Sequence, residues 1–227
     1  MSAAKKYLAL MIASVMLTAT SGCGKTQDVE RVTEKAISAE LSDAAPVLLS
    51  AATGTHFSDV PEDAWYAAAV QYVSECGLMV GTSDDKFSPD ATFTRAQLAT
   101  VLYRAAQEPS VTGEDSFTDT EPGAWYSDAV LWAEQNDIVG GIGDGLFGTS
   151  DPVTQEQLAT MLWRMENEPE ATDASDASSY AAKEVGWAHM AGIAPATVDY
   201  TFAPNADTTR AQVAVLLHIW SRELCCL

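Results

Sequence analysis

Arg95 and Arg210 each directly follow a threonine that opens a helical pattern. Each guanidinium therefore sits at the positive end of a helix, where a cation is electrostatically disfavoured. A planar guanidinium can grip a carboxylate through two parallel charge-assisted hydrogen bonds, and backbone N–H groups at a helix start are further donors to an anion. Trp65 and Trp125 offer flat apolar faces, Asp59 and Asp119 can accept hydroxyl hydrogen bonds or orient an arginine, and Gly81 and Gly141 permit a close backbone approach. Each has a plainer reading as well. The tryptophans can plug a core, the aspartates can hold turns, and the arginines can be solvated residues of a helix start.

The elements that must position these groups recur. Phe57-Ser58-Asp59 returns as Phe117-Thr118-Asp119, Ala64-Trp65-Tyr66 as Ala124-Trp125-Tyr126, and Phe87 as Phe147; a blurred third copy follows. Such periodicity means units that bury their apolar faces against one another. In the first unit Trp65, Ala69, Val70, Tyr72, Val73 and Cys76 fall at helical spacing, and Gly77 stops that helix. After a turn-rich loop, a second helix opens in every copy with a capping box: Thr94 and Gln97, Thr154 and Gln157, Thr209 and Gln212. Leu98, Val101 and Leu102, with their counterparts Leu158, Met161, Leu162 and Val213, Leu216, Leu217, supply a buried stripe. The prolines at 109 and 169 are expected to end this helix at Glu108 and Glu168.

The 227 residues, 47% of them hydrophobic, suffice for one ordinary core. A formal charge of −20 argues against nucleic acid, whose phosphates need clustered Lys and Arg. Residues 1–22 carry Lys5-Lys6, a short apolar run and then small residues, the pattern of a secretory signal. They run into Thr20-Ser21-Gly22-Cys23, which resembles a bacterial lipobox with Thr20 in place of the usual Leu. That resemblance implies lipidation of Cys23 and membrane attachment, and residues 23–56 read as a lipid-anchored flexible linker spanning roughly 30 Å root-mean-square. Cys76 lies in an apolar helical run, Cys225 and Cys226 are adjacent, and the four cysteines form neither a C-x-x-C pair nor a disulfide framework.

The ordered string Phe57-Ser-Asp59-Val-Pro, Trp65-Tyr66, Ala69-Val70, Gly77-Leu78, Gly81, Phe87-Ser-Pro89-Asp90, Thr94-Arg95-Ala96-Gln97 resembles the S-layer homology (SLH) motif, with repeats at 57–109, 117–169 and, degenerate, 173–224. The resemblance implies a mainly α fold of three tandem helix-loop-helix units forming a pseudo-threefold bundle with inter-repeat grooves. It also implies a non-catalytic, exported envelope module whose grooves hold secondary cell wall polysaccharide, often through a pyruvylated amino sugar. Asp59, Trp65, Gly81, Arg95, Asp119, Trp125, Gly141 and Arg210 are the expected glycan-binding residues. A cleft pairing a guanidinium with an indole, such as Arg95 with Trp65, is the arrangement this reading requires.

Departures limit it. Gln155 replaces the arginine in repeat two, and repeat three keeps Arg210 but lacks a clear Asp and Trp, so fewer than three grooves are expected to work. A protein-interaction or structural envelope module with vestigial grooves is the alternative. His56, His189 and His218 lie far apart, and no H-E-x-x-H, G-x-S-x-G or phosphate-cradling glycine loop supports an enzyme. Asp84-Asp85 and Gly143-Asp144-Gly145 lack the alternating ligands of a calcium loop and read as turns. No metal or cofactor is implied.

Overall fold

The computed structural model describes residues 57–193 and 202–221. The expected signal segment, Cys23, the linker, Cys225 and Cys226 lie outside the described residues. Among the described residues there are six helices: α1 Ala67–Glu75, α2 Arg95–Ala105, α3 Ser127–Gln135, α4 Gln155–Met165, α5 Ala182–Met190 and α6 Arg210–Trp220. Among the described residues there is no β-strand, and backbone pairing outside the helices is limited to isolated bridges.

The second helix of each repeat starts where its sequence says it must. Thr94, Thr154 and Thr209 adopt extended dihedrals and accept from the N–H of the third helical residue, while Gln97, Gln157 and Gln212 return a carbonyl to the cap N–H. The stripes Leu98/Val101/Leu102, Leu158/Met161/Leu162 and Val213/Leu216/Leu217 are all buried. On the shorter first helices Val70 and Val73, Val130 and Ala133, and Val185 and Ala188 complete the same core.

These second helices end earlier than the prolines suggest, at Ala105 and Met165. The Glu108 N–H bonds to the Tyr103 carbonyl and the Gln107 N–H to that of Arg104; Glu168 and Asn167 repeat this with Trp163 and Arg164. This is the Schellman termination, with Gln107 and Asn167 left-handed (φ 66° and 63°) where glycine is usual. Glu108 is left-handed too (φ 47°), against the extended geometry favoured before proline. Tyr103 and Trp163 hold the turn by donating to the Pro109 and Pro169 carbonyls.

Packing between repeats is cyclic. Helix α2 packs on α3, α4 on α5, and α6 back on α1, so each second helix meets the first helix of the following repeat. Just before the second helices, the Phe93 N–H bonds to the Thr208 carbonyl, the Thr208 N–H to that of Val153, and the Val153 N–H to that of Phe93, each at 2.9 Å. Three segments from three repeats thus close a ring of backbone hydrogen bonds. The final closure joins distant residues: the Tyr72 hydroxyl donates to the Ser221 carbonyl at 2.6 Å. Cys76, the C-cap of α1, is disulfide-bonded, a pairing that its sequence spacing did not indicate; the remaining cysteines lie outside the described residues.

Repeat three departs in its first half. The segment before α5 lies directly on that helix, and a Cβ on Gly186 would come within 1.7 Å of the Thr172 carbonyl oxygen. Only glycine fits so close an approach.

Candidate functional site

The residue that directly follows each capping threonine sends its side chain out of its own repeat. Arg95, at the start of α2, crosses into repeat two, donating from Nε to the Phe147 carbonyl (2.8 Å) and from Nη2 to the Gly140 carbonyl (2.7 Å). Arg210, at the start of α6, crosses into repeat one and does the same to Phe87 (2.7 Å) and Val80 (2.6 Å). The guanidinium carbon of Arg95 stands 4.9 Å from the Phe147 ring centre, and that of Arg210 4.5 Å from the Phe87 ring centre.

Both arginines are nearly buried, with 4% and 6% of their surface exposed. Among the described residues neither has a carboxylate within ion-pair distance. Burial pushes both pKa values down, countered for Arg95 by Asp151, Asp119 and Tyr180 and for Arg210 by Asp59. Among the described residues, with its third bond, from Nη1 to Gln157 Oε1, Arg95 uses three of its five N–H groups, and Arg210 uses two. Each junction therefore holds a desolvated positive charge with donors to spare.

The aspartates order the loop that the arginine reaches. Asp59 accepts from the Phe87 and Ser88 N–H groups, both at 2.8 Å; Asp119 accepts from Phe147, Gly148 and Thr149. Burial raises both carboxyl pKa values, but these backbone bonds outweigh it and hold each below its ordinary range. The loop itself requires the two glycines. A Cβ on Gly81 would lie 2.5 Å from the Ser83 carbonyl oxygen and 2.7 Å from the Phe57 ring, and one on Gly141 would lie 2.8 Å from the Leu146 carbonyl oxygen.

The tryptophans are not core plugs. Trp65 is 45% exposed and Trp125 65%, each set edge-on to the following tyrosine at 5.4 and 5.2 Å between ring centres. Each indole thus presents an exposed face that a neighbouring ring holds in place.

The expected residues come together in an order the sequence did not show. Arg95 falls with the repeat-two loop that Asp119 and Gly141 build, and Arg210 with the repeat-one loop of Asp59 and Gly81. The expected pairing of Arg95 with Trp65 is corrected by this: Arg95 bonds to repeat two, and Trp65 packs on Tyr66 within repeat one. The same rule sends Gln155 into repeat three, where its Oε1 accepts from the Ala203 N–H at 3.0 Å. Repeat two's missing arginine and repeat three's missing Asp and Trp therefore fall at one junction, while the other two carry an arginine and an aspartate-ordered loop.

That third junction contains a residue which the sequence reading passed over. Glu156 stands where the other repeats have Ala96 and Ala211, and it is 1% exposed. Its carboxylate accepts from the Ser178 N–H (3.1 Å), the Ser178 hydroxyl (3.0 Å) and the Tyr180 hydroxyl (2.6 Å). Burial and the Glu156 bond push the Tyr180 pKa well up. Alignment of the three helix starts exposes this substitution, but an acidic residue at the start of a helix is unremarkable on sequence grounds.

The S-layer homology domain model matches residues 56–99, 116–159 and 172–214, more than half of the sequence. The chain belongs to the S-layer homology domain family. Relatives that share this SLH region include an S-layer protein of Bacillus thuringiensis subsp. finitimus, 26% identical over 72% of this chain and 21% of the relative. An amylopullulanase of Thermoanaerobacterium thermosulfurigenes is 26% identical over 71% of this chain and 9% of its own, and an endoglucanase of Bacillus sp. (strain KSM-635) 29% identical over 71% and 18%. The chain thus spans less than a quarter of each of these relatives. Among the described residues, no helix is long and apolar enough to cross a membrane.

Proposed function

We propose that this SLH chain is an extracytoplasmic, non-catalytic anchoring module that binds an anionic secondary cell wall polysaccharide at two of its three repeat junctions. The observation that carries the reading is the pair of desolvated guanidiniums, Arg95 and Arg210, which among the described residues have unspent N–H donors and no carboxylate within ion-pair distance. A pyruvate ketal on an amino sugar would bring the missing carboxylate, and Trp125 or Trp65 would lie under the sugar ring. The domain's net negative charge is compatible with this, because screening at physiological salt acts over about 8 Å and leaves a local guanidinium to dominate.

A region common to a surface-layer protein and to relatives named for two different enzymes is more simply a shared attachment module than the seat of either activity. The closed ring of backbone bonds supports the pseudo-threefold arrangement from which the junctions follow. On this reading lipidated Cys23 would join the membrane to the wall across the linker.

The test is a pull-down with purified native wall, before and after chemical removal of the secondary polysaccharide. Retention by native wall and its loss on stripped wall is the expected result. Equal retention on both would overturn the glycan reading, and release of new reducing ends would overturn the non-catalytic one.

A further inference from the structure

We infer that the junction between repeats two and three is self-liganded: the Glu156 carboxylate fills, from within the chain, the place that the other two junctions keep for a carboxylate of the glycan. This rests on the proposed glycan reading and adds to it a stoichiometry and the residue that sets it.

Three observations converge. At the equivalent position the other second helices carry Ala96 and Ala211, whose side chains end at Cβ, whereas Glu156 extends a carboxylate into its junction. The backbone frame around the three positions is the same. The Ala96 N–H reaches the Thr149 carbonyl, the Glu156 N–H that of Pro204 and the Ala211 N–H that of Pro89, so the difference lies in the side chain. The carboxylate is also engaged at both oxygens. It takes three hydrogen bonds from Ser178 and Tyr180, and Tyr180 precedes α5 as Trp65 and Trp125 precede α1 and α3. The aromatic that would be a platform is thus tied to an internal anion.

The exchange is consistent in charge. Where Arg95 and Arg210 leave a buried positive charge open, Gln155 is neutral and Glu156 negative, so an incoming carboxylate would meet repulsion and no unspent fork. The junction keeps its role in holding repeat three to repeat two while losing room for a ligand.

The experiment is isothermal titration of the protein with a synthetic pyruvylated N-acetylhexosamine glycoside, together with backbone NMR on the same samples. The native chain should bind two equivalents, with shifts of the Ala96 and Ala211 amide signals and none at Glu156. Changing both Gln155→Arg and Glu156→Ala should raise the count to three. A native count of three, or native shifts at Glu156, overturns the inference while leaving the glycan reading intact. A native count of zero overturns both. A doubly substituted chain that keeps the native melting temperature but still binds two also overturns the inference. If that chain does not fold, the native amide shifts decide.

Discussion

The junction under Arg210 and the junction under Gln155 join the same elements, a second-helix start and the following repeat's loop, yet they are held by opposite means. At the first, a cation bonds to two backbone carbonyls and stands over Phe87, and Asp59 orders the loop beneath it. At the second, the bonds come from a neutral amide and a buried anion, and the anion's partners are a hydroxyl pair and one N–H. A junction can evidently keep its packing after the arginine and its partners are replaced, provided that another polar set satisfies the buried backbone. Degeneration of a repeat and loss of its structure are separate events.

Replacing Arg210 with Ala would break this contrast most severely. It leaves the Phe87 and Val80 carbonyls without their donors and removes a large buried side chain, so a loss of about 3 kcal/mol in urea unfolding is expected, together with loss of wall binding at that junction. The corresponding Gln155→Ala change removes a single bond from a half-buried side chain. It should cost about 1 kcal/mol and leave wall retention unchanged.

Asp59→Ala comes between these, at about 2 kcal/mol, because two loop N–H groups lose a charged acceptor. Its pH dependence has a definite sign. The folded carboxyl titrates below its ordinary value of 3.8, so the stabilisation is complete above that value and disappears as pH falls through the lower folded one. The native chain should therefore lose stability more steeply below pH 3.8 than the Asp59→Ala chain, as measured by thermal melts across that range.

The smallest stability effect and the sharpest functional one are expected from Trp125→Ala. An indole this exposed should contribute under about 1 kcal/mol to folding, while its loss should weaken glycan binding at that junction about tenfold or more. Equal binding by the substituted chain, measured by titration, would return Trp125 to the status of an ornament on the surface.

The parts of this molecule legible in its sequence are those whose cause is local. A capping threonine and a glutamine three residues on, followed by apolar residues at i, i+3 and i+4, dictate the start and buried face of a helix without reference to the rest of the chain. The junctions were harder because their members are distant: Arg95 and Phe147 are 52 residues apart, Arg210 and Phe87 123. Grooves between repeats were expected, but not which second-helix start meets which loop, so the missing arginine of repeat two and the missing Asp and Trp of repeat three looked like two separate changes. Glu156 was hidden by its company, being one acid among 32.

The bond from Tyr72 to Ser221 spans 149 residues, and helix α1 finds its packing partner only in the last repeat. Unlike an open solenoid, in which a completed unit can rest on its predecessor, the described helices leave α1 waiting for its partner until α6 has been synthesised. Such a non-local contact must meet its loop-closure entropy before it returns any energy. A polypeptide that must stay unfolded while it is threaded through a membrane would gain from that delay.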